Sequence, residues 1–117
     1  MHVEKIQPAH QHTNTVILLH ELGCENPQDT FATVISKLPN STKFILPHAP
    51  LRRNPKIWKD YAKRCSWFNY LSNSNDKYDE INMSHLSQIK KQLFDIIEGE
   101  SMLVPHSRIG IIGYSQG

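Results

Sequence analysis

Ser115 is the residue of this chain with the clearest capacity for covalent chemistry. It stands in Gly113-Tyr114-Ser115-Gln116-Gly117, a G-x-S-x-G pattern that follows directly on the apolar run Ile109-Gly110-Ile111-Ile112. A serine hydroxyl is a weak nucleophile, and it reacts only when held exposed and close to a general base. A tight strand-to-helix turn does that holding: it lifts the side chain above the sheet, in strained backbone geometry. Glycine at 113 and 117 suits such a turn, because a Cβ there would collide with neighbouring backbone. The N–H of Gln116, the residue after the serine, would point at a developing oxyanion. The same five residues also read as a Gly-rich turn closing a buried strand, so the upstream sequence has to decide.

Other residues offer chemistry with less support. His10 and His12 form an H-x-H, but no carboxylate or thiol cluster lies beside them in sequence. They read as a solvated turn, and no metal is expected. Arg52, Arg53, Lys56, Lys59, Lys63 and Arg64 are interleaved with Trp58 and Tyr61. Such a stretch can grip nucleic acid; the reading preferred is a solvated surface loop with a short helix over 57–62, and no nucleic acid as partner. Trp67-Phe68-Asn69-Tyr70 is an aromatic cluster that either covers a core or lines an apolar pocket. His85 lies on an apolar helical stripe and reads as a structural histidine rather than a catalytic one. Cys24 and Cys65 are far apart and outside any C-x-x-C, which points to two reduced thiols in a cytoplasmic protein.

These residues need elements to position them, and the apolar patterning supplies an α/β order. The chain has 117 residues, enough for one small domain, with 38% hydrophobic and 21% charged residues. Its formal net charge of +2 argues neither for nor against a polyanionic partner. No apolar run reaches the length of a membrane span, so no stable membrane insertion is expected, and Met1 to Lys5 lacks the order of a signal peptide. The spacing predicts a short strand over 3–7, then a buried strand over 15–19. A helix follows from about Thr30, capped by Asp29 or Thr30, with Phe31, Val34, Ile35 and Leu38 on one face. A second buried strand covers 42–46, and strand, helix, strand at this spacing is a parallel βαβ unit. Residues 71–78 read as a Ser/Asn-rich turn. A long helix runs over 79–98 with Gly99 as its C-terminal cap, and a third buried strand over 109–112 leads into the serine turn.

Together the motifs carry a family resemblance. Leu18-Leu19-His20-x-Leu22-Gly23, Phe31, Phe44-Ile45-Leu46-Pro47-x-Ala49-Pro50, Trp67-Phe68 and Arg108-Ile109-x-Ile111-x-Gly113-Tyr114-Ser115-Gln116-Gly117 occur in one order. This resembles the acyl-protein thioesterase branch of the phospholipase/carboxylesterase family, an α/β-hydrolase group. The resemblance implies that Ser115 is the nucleophile and that the backbone N–H groups of Leu22 and Gln116 form the oxyanion hole. It implies that His20 shapes that loop rather than acting as base, and that Trp67 and Phe68 lie near the acyl-binding groove. The implied reaction is hydrolysis of a carboxylic ester or thioester, such as an S-acylated protein, through an acyl-serine and without metal or cofactor.

Three departures bear on that implication. Glu21 stands where the family usually has glycine, so a carboxylate is expected at the oxyanion turn, where it could crowd the loop and oppose negative charge. Asn69 follows Trp-Phe where the family tends to carry Asp. In this fold the triad order is Ser, then Asp or Glu, then His, and only Gln116 and Gly117 follow Ser115. The expectation is therefore an incomplete α/β-hydrolase ending at the nucleophile elbow. Residues 1–117 would be the N-terminal part of one domain, a parallel sheet with helices on both faces, inactive by itself. The strand over 15–19 should lie between those over 42–46 and 109–112. The alternative is a non-catalytic acyl-binding or interaction fragment of the same fold.

Overall fold

The structure, a computed structural model, describes residues 1–72 and 80–117. Four strands form the main sheet: β1 (Val3–Ile6), β2 (Asn14–Leu19), β3 (Thr42–Pro47) and β6 (Ile109–Gly113), in the order β1-β3-β2-β6. β2 lies between β3 and β6 and runs parallel to both, with Val16 opposite Phe44 and Gly110. This is the interior position expected from the sequence. The sheet is mixed rather than wholly parallel, because β1 pairs antiparallel with β3. A second, two-stranded sheet, β4 (Leu51–Arg52) with β5 (Arg64–Cys65), closes the basic loop as a hairpin. The short helix expected over 57–62 is a turn instead, in which the Asn54 carbonyl accepts the N–H groups of Ile57 and Trp58.

Helices cover both faces, and the side-chain alternation of the strands decides which residue meets which. Ile17, Leu19 and Ile45 pack with Trp67 and Ile89, and with Leu93, Ile96 and Ile97 of the long helix α3 (Met83–Ser101). Leu18, Phe44 and Leu46 pack on the other face with Phe31, Val34, Ile35 and Leu38. The first helical segment is broken into α1 (Pro27–Thr30) and α2 (Ala32–Lys37). Its N-cap is Asn26, not Asp29 or Thr30, with its side-chain oxygen accepting from Gln28 N–H and Pro27 in the first turn. α3 starts four residues later than the spacing suggested, at the cap Asn82, whose side chain accepts from His85 N–H. It continues through Gly99, which therefore caps nothing. The expected turn over 71–78 lies mostly outside the described residues, as does the first residue of the expected helix.

The extra turn of α3 has a physical reason in Glu100. This residue is buried, and its carboxylate accepts from Lys43 Nζ at 2.8 Å and from the Thr15 hydroxyl at 2.9 Å. Thr15 in turn accepts from His12 Nε2 at 2.7 Å. The H-x-H turn is thus tied to the sheet through one of its histidines. Burial would push the Glu100 carboxyl up, but the hydrogen bonds from Lys43 and Thr15 outweigh it and hold the group below the usual carboxylate range.

Candidate active site

The turn after β6 has the geometry that an exposed nucleophile requires. Ser115 has φ 55°, and it is the only described non-glycine residue with positive φ. That left-handed conformation is costly for a side-chain-bearing residue. The two flanking glycines permit it. A Cβ on Gly113 would lie 2.4 Å from the backbone carbon of Gly117, and one on Gly117 would lie 2.1 Å from the Leu19 carbonyl oxygen. Backbone cannot yield to such contacts as a flexible side chain can. The turn is pinned by Tyr114 N–H donating to Leu19 O and Gly117 N–H donating to Tyr114 O, both at 3.0 Å. The elbow therefore rests directly on the end of β2, where the loop from His20 to Cys24 begins.

His20 is fully buried, and both its ring nitrogens are committed. Nε2 accepts the N–H of Ala49 at 3.0 Å, so the proton sits on Nδ1, which donates to the Glu21 carbonyl at 2.8 Å. Burial depresses its pKa. His20 is thus a neutral strut joining the β3 exit to the loop after β2, and it has no nitrogen free to act as a base. Glu21, the departure from glycine, is turned onto α1. Its two carboxylate oxygens accept from the Thr30 hydroxyl at 3.0 and 3.1 Å. Burial would raise its pKa, but its own N–H and the Thr30 hydroxyl hold it below the usual range. The loop turns at Gly23, whose φ is 76° and whose N–H donates to Cys65 O at 2.8 Å. Among the described residues, neither the N–H of Leu22 nor that of Gln116 has an acceptor in the chain, and the Ser115 hydroxyl has no partner.

Trp67 locks the two loops together. It is buried; its indole N–H donates to the His20 carbonyl at 2.8 Å, and its ring lies tilted over the His20 imidazole at 4.7 Å. The side chain of Gln116 completes the lock by accepting from Trp67 N–H and donating to Phe68 O. This role of Gln116 was not visible in the sequence, where only its backbone carried a signal. Phe68 is half-buried, edge-on to Tyr70. Of the two aromatics, Phe68 is the one with surface to offer a ligand. Asn69 donates from its N–H to His85 Nδ1 at 3.1 Å and from Nδ2 to the Arg53 carbonyl at 2.7 Å. An Asp could not make the second bond, which accounts for an amide here. His85 is thereby a structural partner of the aromatic loop.

The basic stretch is largely self-engaged. Arg53 lies over the Tyr61 ring at 4.1 Å, Arg64 lies over Trp58 at 5.0 Å and grips Asp60 through both carboxylate oxygens, and Arg52 Nε donates to Ser66 O. No described helix is long and apolar enough to cross a membrane.

The profile of the Phospholipase/Carboxylesterase family matches residues 1–117. The chain belongs to that family. Among curated phospholipase/carboxylesterase relatives, "Acyl-protein thioesterase 1" of Schizosaccharomyces pombe is 32% identical over 113 residues, covering 96% of this chain and 49% of the relative. The protein of the same name from Cryptococcus neoformans var. neoformans is 32% identical over 118 residues, covering 97% of this chain and 48% of the relative. This phospholipase/carboxylesterase chain thus spans about half the length of the curated relatives it matches. Its fold is similar to that of acyl-protein thioesterase 2 from Zea mays, with a TM-score of 0.76 and 18% identity, over 98% of this chain and 46% of that one. The α/β-hydrolase fold expected from the motifs is the one observed.

Proposed function

We propose that this chain carries the nucleophile and oxyanion half of a serine hydrolase that cleaves carboxylic esters or thioesters, S-acylated proteins among them. The observation that supports this most is the left-handed Ser115 between two glycines that have no room for a Cβ. The Ser115 hydroxyl attacks the acyl carbonyl as its proton passes to the base, and the N–H groups of Leu22 and Gln116 take the oxyanion. The alcohol or thiol leaves with that proton as its bond to the acyl carbon breaks, and water then hydrolyses the acyl-serine to the free acid. Trp67 and Gln116 act by holding those two amides in place, and Phe68 offers acyl contact. Residues 1–117 form the N-terminal part of a larger hydrolase domain. The Asp and His that activate Ser115 follow it in the chain order of the fold, so residues 1–117 alone are inactive. The free thiols Cys24 and Cys65 support a reducing compartment such as the cytoplasm.

The test joins residues 1–117 to the C-terminal half of the fission yeast relative. The chimera is expected to hydrolyse p-nitrophenyl and acyl-thioester substrates and to be labelled by a fluorophosphonate, both abolished by Ser115→Ala. A folded chimera whose turnover survives Ser115→Ala overturns the nucleophile assignment. Robust turnover by residues 1–117 alone, abolished by Ser115→Ala, overturns the need for later residues.

A further inference from the structure

We propose that His2, Glu4 and His48 form a binding site for a divalent transition-metal ion of the zinc type. The site stands apart from Ser115 and does not rest on the hydrolase reading. β1 and β3 run antiparallel with Val3 opposite Pro47, which sets the residue entering β1 against the residue leaving β3. The backbone seals that pairing: the His48 N–H donates to the His2 carbonyl at 2.8 Å. Glu4 stands two residues along an extended strand from His2, so the two side chains project from one face. The three side chains can each offer one ligand atom, all within 4.8 Å of one another.

The geometry is close to what such an ion needs. His48 Nε2 and Glu4 Oε1 are 2.9 Å apart, and the two imidazole centroids are 4.6 Å apart. Tetrahedral coordination with bonds of about 2.0–2.1 Å sets ligand atoms roughly 3.4 Å apart. Rotation of the exposed His2 side chain closes the remaining gap. Glu4 is already oriented, because its second oxygen accepts from Gln28 Nε2 at 3.0 Å, as outer-shell partners orient metal-binding carboxylates. Two imidazoles with one carboxylate suit Zn²⁺ and its neighbours in the first transition row and disfavour Mg²⁺ and Ca²⁺. A cavity of about 440 Å³ bounded by His2, His48, Pro50 and Leu51 leaves space for water as a fourth ligand. The sequence-adjacent pair His10 and His12 is the poorer site, since His12 Nε2 is held by Thr15.

Titration of the 117-residue chain with Zn²⁺ alone, against a chromophoric chelator, is expected to show one ion bound per chain. His2→Ala, Glu4→Gln and His48→Ala each weaken binding by about tenfold or more, whereas His10→Ala leaves it unchanged. His2 is exposed, so its replacement preserves the fold and keeps the test decisive if His48→Ala does not fold. Co²⁺ in place of Zn²⁺ gives the strong visible absorption of a four-coordinate site, lost in the same variants. No stoichiometric binding, binding indifferent to His2, Glu4 and His48, or equal loss in His10→Ala overturns the site.

Discussion

The side-chain oxygen of Gln116 accepts the backbone N–H of Trp67 at 2.9 Å, while its amide nitrogen donates to the Phe68 carbonyl at 2.7 Å. One side chain therefore satisfies two backbone groups that lie far away in sequence, and it couples the serine turn to the aromatic loop. Gln116→Ala orphans both groups and is expected to destabilise the chain by about 1–3 kcal/mol in urea unfolding. Gln116→Glu should lose nearly as much, because it keeps the acceptor but sets a carboxylate oxygen against the Phe68 carbonyl. A loss below about 0.5 kcal/mol in both variants would show that the coupling is decorative.

Ser115 pays for its exposure in backbone strain, and this gives an unusual sign. Ser115→Gly is expected to be more stable than Ser115→Ala by about 0.5–1 kcal/mol, since glycine relieves the left-handed penalty and returns part of it as lost chain entropy. Gly113→Ala and Gly117→Ala are expected to cost about 1–3 kcal/mol each, as in overpacked cores. Thermal unfolding of the four variants measures this. Equal stability of Ser115→Gly and Ser115→Ala contradicts the strained turn.

The Lys43–Glu100 pair predicts a pH dependence. Glu100 has its carboxyl held below the usual range, so it binds fewer protons folded than unfolded. Its contribution is present above the usual carboxylate range and is lost as pH falls through the depressed folded value. Lys43→Met strands a buried carboxylate and should cost about 3–5 kcal/mol near pH 7. In that variant burial, the largest influence on Glu100, is opposed chiefly by the Thr15 hydroxyl, its pKa rises, and the deficit shrinks towards acid pH. Melting curves from about pH 3 to pH 7 decide this; a deficit independent of pH refutes the coupling.

His20 should stay neutral to a pH below the ordinary histidine range. Its folded pKa is depressed by burial, so the stability it contributes is full above the unfolded value and falls as acid protonates the unfolded chain first. Imidazole resonances followed by NMR should show the proton on Nδ1 and no titration of His20 near about pH 6.5. A His20 that titrates like an exposed histidine would free it to act as a base.

β6 stands at the sheet edge with Ile111 50% and Ile112 37% exposed, one on each face. An open apolar edge pairs with other chains. The 117-residue chain is expected to self-associate in light scattering, and Ile112→Lys is expected to shift it towards monomer. A monomer at high concentration without that change contradicts the prediction.

What the sequence made legible was what repeats with a period or sits in a dense motif. The runs at 15–19, 42–46 and 109–112 located three strands, the family resemblance implied their order, and Gly113-Tyr114-Ser115-Gln116-Gly117 located the turn. What stayed hidden were contacts between distant residues. Gly99 reads as a helix cap and nothing in the sequence singles out Glu100 beyond it; Lys43 and Thr15, on two different strands, explain why the helix continues to it. Glu21 looked like a hazard to the oxyanion loop because its partner, Thr30, lies across a turn. His2 and His48 are 46 residues apart and meet only through the β1–β3 register, so neither drew notice beside the adjacent His10 and His12.

The contacts that fix the serine turn from outside it come from Leu19, Trp67 and Phe68, all of which precede it. During synthesis these residues leave the ribosome before Ser115 does. The groups that seat the serine turn are therefore all synthesised before the turn itself. A substitution at any of these three upstream residues can thus disturb the serine turn without touching the G-x-S-x-G residues.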